Sequence, residues 1–252
     1  MKVLTEFKKL LYGIIRSLIL IVMIAALFFV MGPKAIVIRG SEVSVPWFTG
    51  TSYAVDFLNK MRNDLVPQDV SLIVTNPFAA FLIEIKIAFF LTLILILPVA
   101  LFTIMKYLSP ALKHNERNAL YKVIIPSTLL FYAGCIFAYM FVIPATTKIM
   151  YSYTPDIKAL PFFNIDDFIS LAFTMMTMVG LMFLLPVFMV LSSWLGFIKY
   201  AFWKKYWRHA IFAFVVFTAV ITPDGTGITM LMLTIPLCVL YISGMLISRR
   251  YG

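Results

Sequence analysis

The chain has 252 residues, of which 62% are apolar and 13% charged, with a net charge of +10; its mean hydropathy is +0.99. A water-soluble domain of this length has no use for so much apolar surface, so the composition excludes a soluble fold and points to a bilayer. In a soluble protein the basic excess would suggest nucleic acid, but beside long apolar runs its placement matters more than its sum.

Six membrane spans are expected, about 11–31, 77–106, 119–145, 167–194, 209–222 and 227–247, within one polytopic domain covering 1–252. The first is read as a retained span rather than a cleaved leader, because the run ends Phe28-Phe29-Val30-Met31-Gly32-Pro33 with no small-x-small site. A polar segment, 32–76, follows, with a short amphipathic helix expected over Tyr53 to Arg62. The second span contains Pro98, the third has Pro126 and Pro144 near its ends, the fourth contains Pro186 and the sixth Pro236. The fifth, at 14 residues, would be about 21 Å long, short of a ~30 Å hydrocarbon core. The third span carries Gly134 and Ala138 at a small-x-x-x-small spacing that lets another helix come close.

Between the second and third spans lies Tyr107-Leu108-Ser109-Pro110-Ala111-Leu112-Lys113-His114-Asn115-Glu116-Arg117. Pro110 cannot extend the incoming helix and biases Ser109 toward an extended backbone. Helix formers resume at Ala111, so a short turn or helix is expected between the two spans. The run Tyr200 to Arg208 interleaves bases with aromatic rings and reads as an interfacial anchor on anionic lipid. Cys135 and Cys238 lie inside apolar runs, and His114 and His209 flank them; no metal spacing or disulfide framework results.

Charge sets the orientation. With the N-terminus in the cytoplasm, fourteen bases fall inside (in 1–16, 106–122, 199–208 and 249–250) and six outside, with Lys86 in a span. The bias places both termini inside. Eight acids fall outside, while the inside holds just Glu6 and Glu116. Positive-inside bias says little about acids, so these two need their own reading. Each has a local one: Glu116 can pair with Lys113 at i−3, and Glu6 with Lys9 at i+3. Each can instead accept a guanidinium fork brought to the membrane surface by a peptide. Glu84 and Lys86 lie about two turns into the second span. Two residues apart on a helix, they do not face each other, and an ionisable group inside a span expects a partner in the bundle or at the interface. Asp224, in Thr222-Pro223-Asp224-Gly225, is turn chemistry that also suits a helix cap.

The connector, with its aromatic residue, Pro110-Ala111-Leu112 and then Glu116-Arg117, resembles the first cytoplasmic loop of the TatC family, the multispanning subunit of the twin-arginine protein translocase. Leu4-Thr5-Glu6-Phe7-Lys8-Lys9-Leu10-Leu11 is similar to that family's N-terminal His-Leu-x-Glu-Leu-Arg-x-Arg-Leu, with Val3 in place of the His and Leu10 in place of the second Arg. Asn76-Pro77-Phe78, Phe131-Tyr132-Ala133-Gly134 and Thr222-Pro223-Asp224 also resemble family segments, and Lys86 matches a Lys often found there. Two positions depart from the pattern. Leu184, between Phe183 and Pro186, stands at the place of an intramembrane Glu, and Ile228 stands where relatives carry a polar residue.

The resemblance implies an all-α protein with six transmembrane helices, N-in and C-in, in a prokaryotic plasma membrane or an organellar membrane of bacterial origin. It implies a non-enzymatic receptor and core subunit, without cofactor or metal, for proton-motive-force-driven export of folded proteins. Glu6, Lys8, Tyr107, Pro110, Glu116 and Arg117 would bind the signal peptide. Glu84, Lys86, Leu184, Asp224 and Ile228 would serve translocase function or partner contact. Implied partners are twin-arginine signal peptides, TatA- or TatB-like single-span subunits, membrane lipids and further copies of the chain, but no nucleic acid. The residues alone also admit a small-molecule secondary transporter, although no internal repeat or midplane polar site appears, or a structural membrane scaffold.

Overall fold

A computed structural model describes residues 19–38, 41–47, 52–66, 70–76, 78–108, 114–152, 162–223 and 227–250. In chain order these form α1 (Ile19–Val30), β1 (Gly32–Ile38), β2 (Ser41–Trp47), α2 (Tyr53–Leu65), β3 (Ser71–Ile73), α3 (Ala79–Leu108), α4 (His114–Phe137), α5 (Ile143–Ser152), β4 (Phe162–Asn164), α6 (Ile165–Phe183), α7 (Leu185–Trp194), α8 (Tyr200–Ile221) and α9 (Ile228–Ser248). The fold is that of an all-α membrane protein, and among the described residues four helical segments are long and apolar enough to cross a bilayer, Ala79–Thr103, Val123–Ser152, Ile165–Trp194 and Ile228–Ser248, with Ile19–Val30 a shorter apolar helix.

Proline explains where these helices bend. Pro144 lacks an N–H and its ring must avoid the carbonyl of Met140, so α4 passes into α5 through one widened π turn, Ala138–Val142, closed by Ile143 N–H donating to the Ala138 carbonyl. Pro186 does the same to Met182, and the helix hesitates at Leu184, whose N–H donates to Leu181 three residues back at 3.1 Å. Hydroxyls within the apolar helices satisfy themselves on their own turns, as Thr92 does on the Ala88 carbonyl and Ser127 on that of Val123, each at 2.7 Å.

The chain divides into two compact units. The first holds Met1–Val66, Leu72–Tyr107 and Phe163–Ile169. In it β1 and β2 form an antiparallel hairpin, Gly32 opposite Trp47 and Ile38 opposite Ser41. The sequence predicts a polar segment over 32–76 with one short helix and no strand, so the hairpin is a finding of the structure. Helix α2 starts at an N-cap, Ser52, whose hydroxyl accepts from Val55 N–H, and it buries Ala54, Met61 and Leu65. Phe29 of α1 meets Phe81 of α3 edge to face at 5.6 Å.

The second unit holds Pro67–Ser71, Leu108–Phe162 and Ser170–Gly252. Its core is built on close approach. A Cβ on Gly134 of α4 would stand 2.9 Å from the Gly180 Cα of α6 and 2.8 Å from the Phe183 ring. One on Gly244 of α9 would stand 2.8 Å from the Pro186 Cα. Met189, Phe214, Leu237 and Tyr241 form a buried cluster joining α7, α8 and α9. The Tyr241 hydroxyl donates to the Trp203 carbonyl at 2.8 Å, and the Trp203 indole N–H donates to the Ser193 hydroxyl at 3.3 Å. The Thr218 and Thr234 hydroxyls bond across α8 and α9 at 2.9 Å.

Helix α8 differs from the expected fifth span in extent. The apolar stretch from His209 onward is as short as its sequence indicates, but the helix begins at Tyr200, so the basic-aromatic run forms its first turns. Nothing in 200–208 breaks a helix, and Trp203 is pinned on both its indole and its carbonyl. Helix α4 likewise begins earlier than the expected third span, at His114, and the helix it opens runs on to Ser152.

Candidate functional site

The candidate residues fall at three places along the chain. The connector is bounded by Leu108, the last residue of α3, and His114, the first of α4. Tyr107 is the penultimate residue of α3, and Glu116 and Arg117 belong to the first turn of α4. Pro110, Glu6, Lys8 and Asp224 lie outside the described residues.

The second place is the outer part of α3. Lys86 Nζ lies 2.6 Å from Asp166 Oδ1, with the two side chains 42% and 33% exposed. Asp166 sits in the first turn of α6, where its own N–H donates to the Asn164 side chain at 3.3 Å. The four-carbon stem of Lys86 carries its charge toward the end of the helix, the snorkelling that long basic side chains perform near a membrane surface. Sequence reasoning expected a partner for Lys86 but counted Asp166 merely among the outside acids. The signal that would have found it is the need of a charge inside a span for an opposite charge at the nearest helix end. Glu84 is half-buried, and among the described residues it carries no hydrogen bond or ion pair.

The third place holds the two apolar departures. Leu184 is half-buried at the joint of α6 and α7, about two thirds of the way along the Ile165–Trp194 span, while Ile228 opens α9 and is 58% exposed. Next to Leu184, the Phe183 ring lies 5.8 Å from that of Phe137. Nothing polar presents itself on these two side chains. A groove of about 360 Å³ in the same unit, lined by Val123, Pro126, Pro186, Val190, Leu240 and Ser243, is also almost wholly apolar. Among the described residues no three His, Cys, Asp or Glu side chains converge as a metal would need.

The family model described as Sec-independent protein translocase protein (TatC) matches residues 4–236. The chain is 34% identical over 197 residues to the Sec-independent protein translocase protein TatC of Cenarchaeum symbiosum, covering 78% of this chain and 75% of that protein. It is 29% identical over 216 residues to the protein of the same name from Carboxydothermus hydrogenoformans, covering 86% and 88%. Its fold is similar to a crystal structure of the twin-arginine translocase receptor TatC, with a TM-score of 0.74 and 23% identity over 98% of this chain and 99% of the other.

Proposed function

We propose a role that starts from one premise: the chain belongs to the TatC family of Sec-independent protein translocase proteins. It is a multi-pass membrane subunit of a protein translocase, and its work is transport. Neither the small-molecule transporter nor the scaffold reading is the family's.

The finer role is that of a receptor for twin-arginine signal peptides on the cytoplasmic face. The observation that supports it most is the placement of acids. Glu6 and Glu116 are the two acids on a side that carries fourteen bases. An incoming pair of arginines finds there two carboxylates able to take planar, bidentate hydrogen bonds, against a background that otherwise repels it. In the sequence Lys8 stands two residues beyond Glu6, Arg117 follows Glu116, and Tyr107 and Pro110 precede it in the connector, so each belongs to the same reading. Export of the bound folded protein draws on the proton motive force, with TatA- or TatB-like single-span subunits recruited to further copies of this chain and to its lipids. Glu84, Lys86 and Asp224 would contribute at the outer side, and Leu184 and Ile228 would receive an apolar partner surface.

Glu116→Gln preserves size and polarity but removes the charge. It is expected to weaken binding of a twin-arginine signal peptide by about 1.5–3 kcal/mol while the protein still inserts. Unchanged export in the double variant Glu6→Gln, Glu116→Gln would end the receptor reading. The orientation beneath it is tested by single cysteines. One at Lys158 should react with an impermeant outside reagent and one at Lys204 should not.

A further inference from the structure

Helix α9 packs on α7 and on the π turn Ala138–Val142, and α4 packs on α7 as well. Beyond the π turn α4 and α9 part, and the gap between them is the groove of about 360 Å³. Val123 and Leu130 line it from α4, Leu240 and Ile247 from α9, and Pro186 and Val190 from α7. Seven residues separate the two members of each outer pair, so the groove runs about 10 Å along the helices. Helix α9 cannot close it by moving nearer to α7, because a Cβ on Gly244 would already stand 2.8 Å from the Pro186 Cα. Its one polar lining side chain, Ser243, is satisfied on its own helix, donating to the Leu240 carbonyl at 2.7 Å. Water finds no partner in such a groove, and hydrocarbon fills it without loss. A second transmembrane helix is too wide. At 10–12 Å across, the stretch facing the groove would take up roughly 800 Å³, more than twice the space.

The end of α9 supplies the rest of the site. This helix is long and apolar enough to cross a bilayer, so its last turn stands at a membrane surface. Ile247 is the last lining residue, and Arg249 and Arg250 follow it two and three positions on, both exposed. No acid stands in 225–252 to neutralise them. A guanidinium takes two phosphate oxygens at once, which a single ammonium cannot do. We propose that the groove holds one acyl chain of an anionic phospholipid, with the head-group phosphate on Arg249 and Arg250. The groove by itself would accept the tail of any lipid, and the arginines by themselves would attract any anion at the surface. Their adjacency selects a molecule that has both a tail and a negative head. The proposal uses none of the residues read as binding signal peptides, and it holds whichever membrane surface the end of α9 faces.

The test uses the full-length protein in detergent, incubated with dioleoylphosphatidylglycerol or with dioleoylphosphatidylcholine, which has the same tails and no net charge. Lipid retained after washing is counted by native mass spectrometry. Phosphatidylglycerol is expected to be retained about tenfold better than phosphatidylcholine. Arg249→Gln with Arg250→Gln should abolish that preference and leave retention of phosphatidylcholine unchanged. Ser243→Phe, which fills the groove from α9, should release both lipids, with its thermal midpoint showing that it folds. Equal retention of the two lipids by the unaltered chain would overturn the proposal, as would a preference that survives loss of both arginines, or lipid retained by a folded Ser243→Phe. A preference lost equally with Lys204→Gln and Lys205→Gln, at the start of α8, would mean diffuse surface charge and would overturn it too. Displacement of the lipid by glycerol 3-phosphate, which has the head group and no tail, would remove the groove from the site. Should Ser243→Phe not fold, the arginine variant and glycerol 3-phosphate decide.

Discussion

In the second unit α4 and α6 come so close that a single methyl on Gly134 would stand 2.9 Å from the Gly180 Cα. In the first unit α3 carries two charges into its span, and one of them, Lys86, holds an aspartate at 2.6 Å with both side chains still partly exposed. Both arrangements join helices in surroundings where hydrophobicity alone gives no preference between protein and lipid. They differ in tolerance. A backbone crossing has no slack, because neither Cα can move without moving its helix. A lysine stem has several rotamers and can find another way to the surface. The core of the second unit should therefore be sensitive to one added carbon, and the charged pair of the first should matter less for stability than its distance suggests.

Gly134→Ala sharpens that contrast most. Overpacking at a crossing that cannot relax should lower stability by about 1–3 kcal/mol, seen as an earlier thermal midpoint in detergent. Gly180→Ala meets the Phe131 ring at 2.8 Å and should behave alike. Because both methyls enter one crossing that cannot open, the double variant should lose at least the sum of the singles.

Tyr241→Phe removes a hydroxyl that donates to the Trp203 carbonyl and leaves the ring in place. The expected loss is about 1 kcal/mol, accompanied by a change in tryptophan emission as the start of α8 loosens. An unshifted spectrum with unchanged stability would mean that α8 is held by packing alone.

The smallest effect belongs to the charged pair. A double-mutant cycle with Lys86→Met and Asp166→Asn should give a coupling of about 0.2–1 kcal/mol, since both groups are partly exposed. A coupling larger than the loss from Gly134→Ala would break the comparison and make the outer ion pair the principal clasp.

Apolar length pointed to the four helices that are long enough to cross a bilayer, and Pro144 and Pro186 marked where two of them deform. The small-x-x-x-small pattern of Gly134 and Ala138 announced a close approach, but its partner, Gly180, lies 46 positions further on and carries no signal of its own. Asp166 was visible as an acid and invisible as the partner of Lys86, because the pairing spans 80 residues. The start of α8 was misplaced for a local reason. Its first turns are basic and aromatic, and hydropathy records where a helix is buried in lipid rather than where its backbone begins to coil. The β1–β2 hairpin was missed because a polar segment flanked by spans reads as loop when composition is the guide.

What the sequence by itself determined about this protein is the set of properties carried by single residues and their near neighbours. These are an apolar chain that must satisfy its backbone in helices, an uneven spread of bases among its polar segments, two acids within the most basic of them, and motifs legible as those of the TatC family. What only the tertiary structure decided is which helices touch and at what distance. It put Gly180 against Gly134, Pro186 against Gly244, and Asp166 against Lys86, and it left Glu84 without a donor among the described residues. The reason is physical. A helix satisfies its own backbone through contacts three to five residues apart and so can be read locally. Crossings and ion pairs join residues tens of positions apart, and in lipid they are selected by shape and polarity, neither of which a single sequence records.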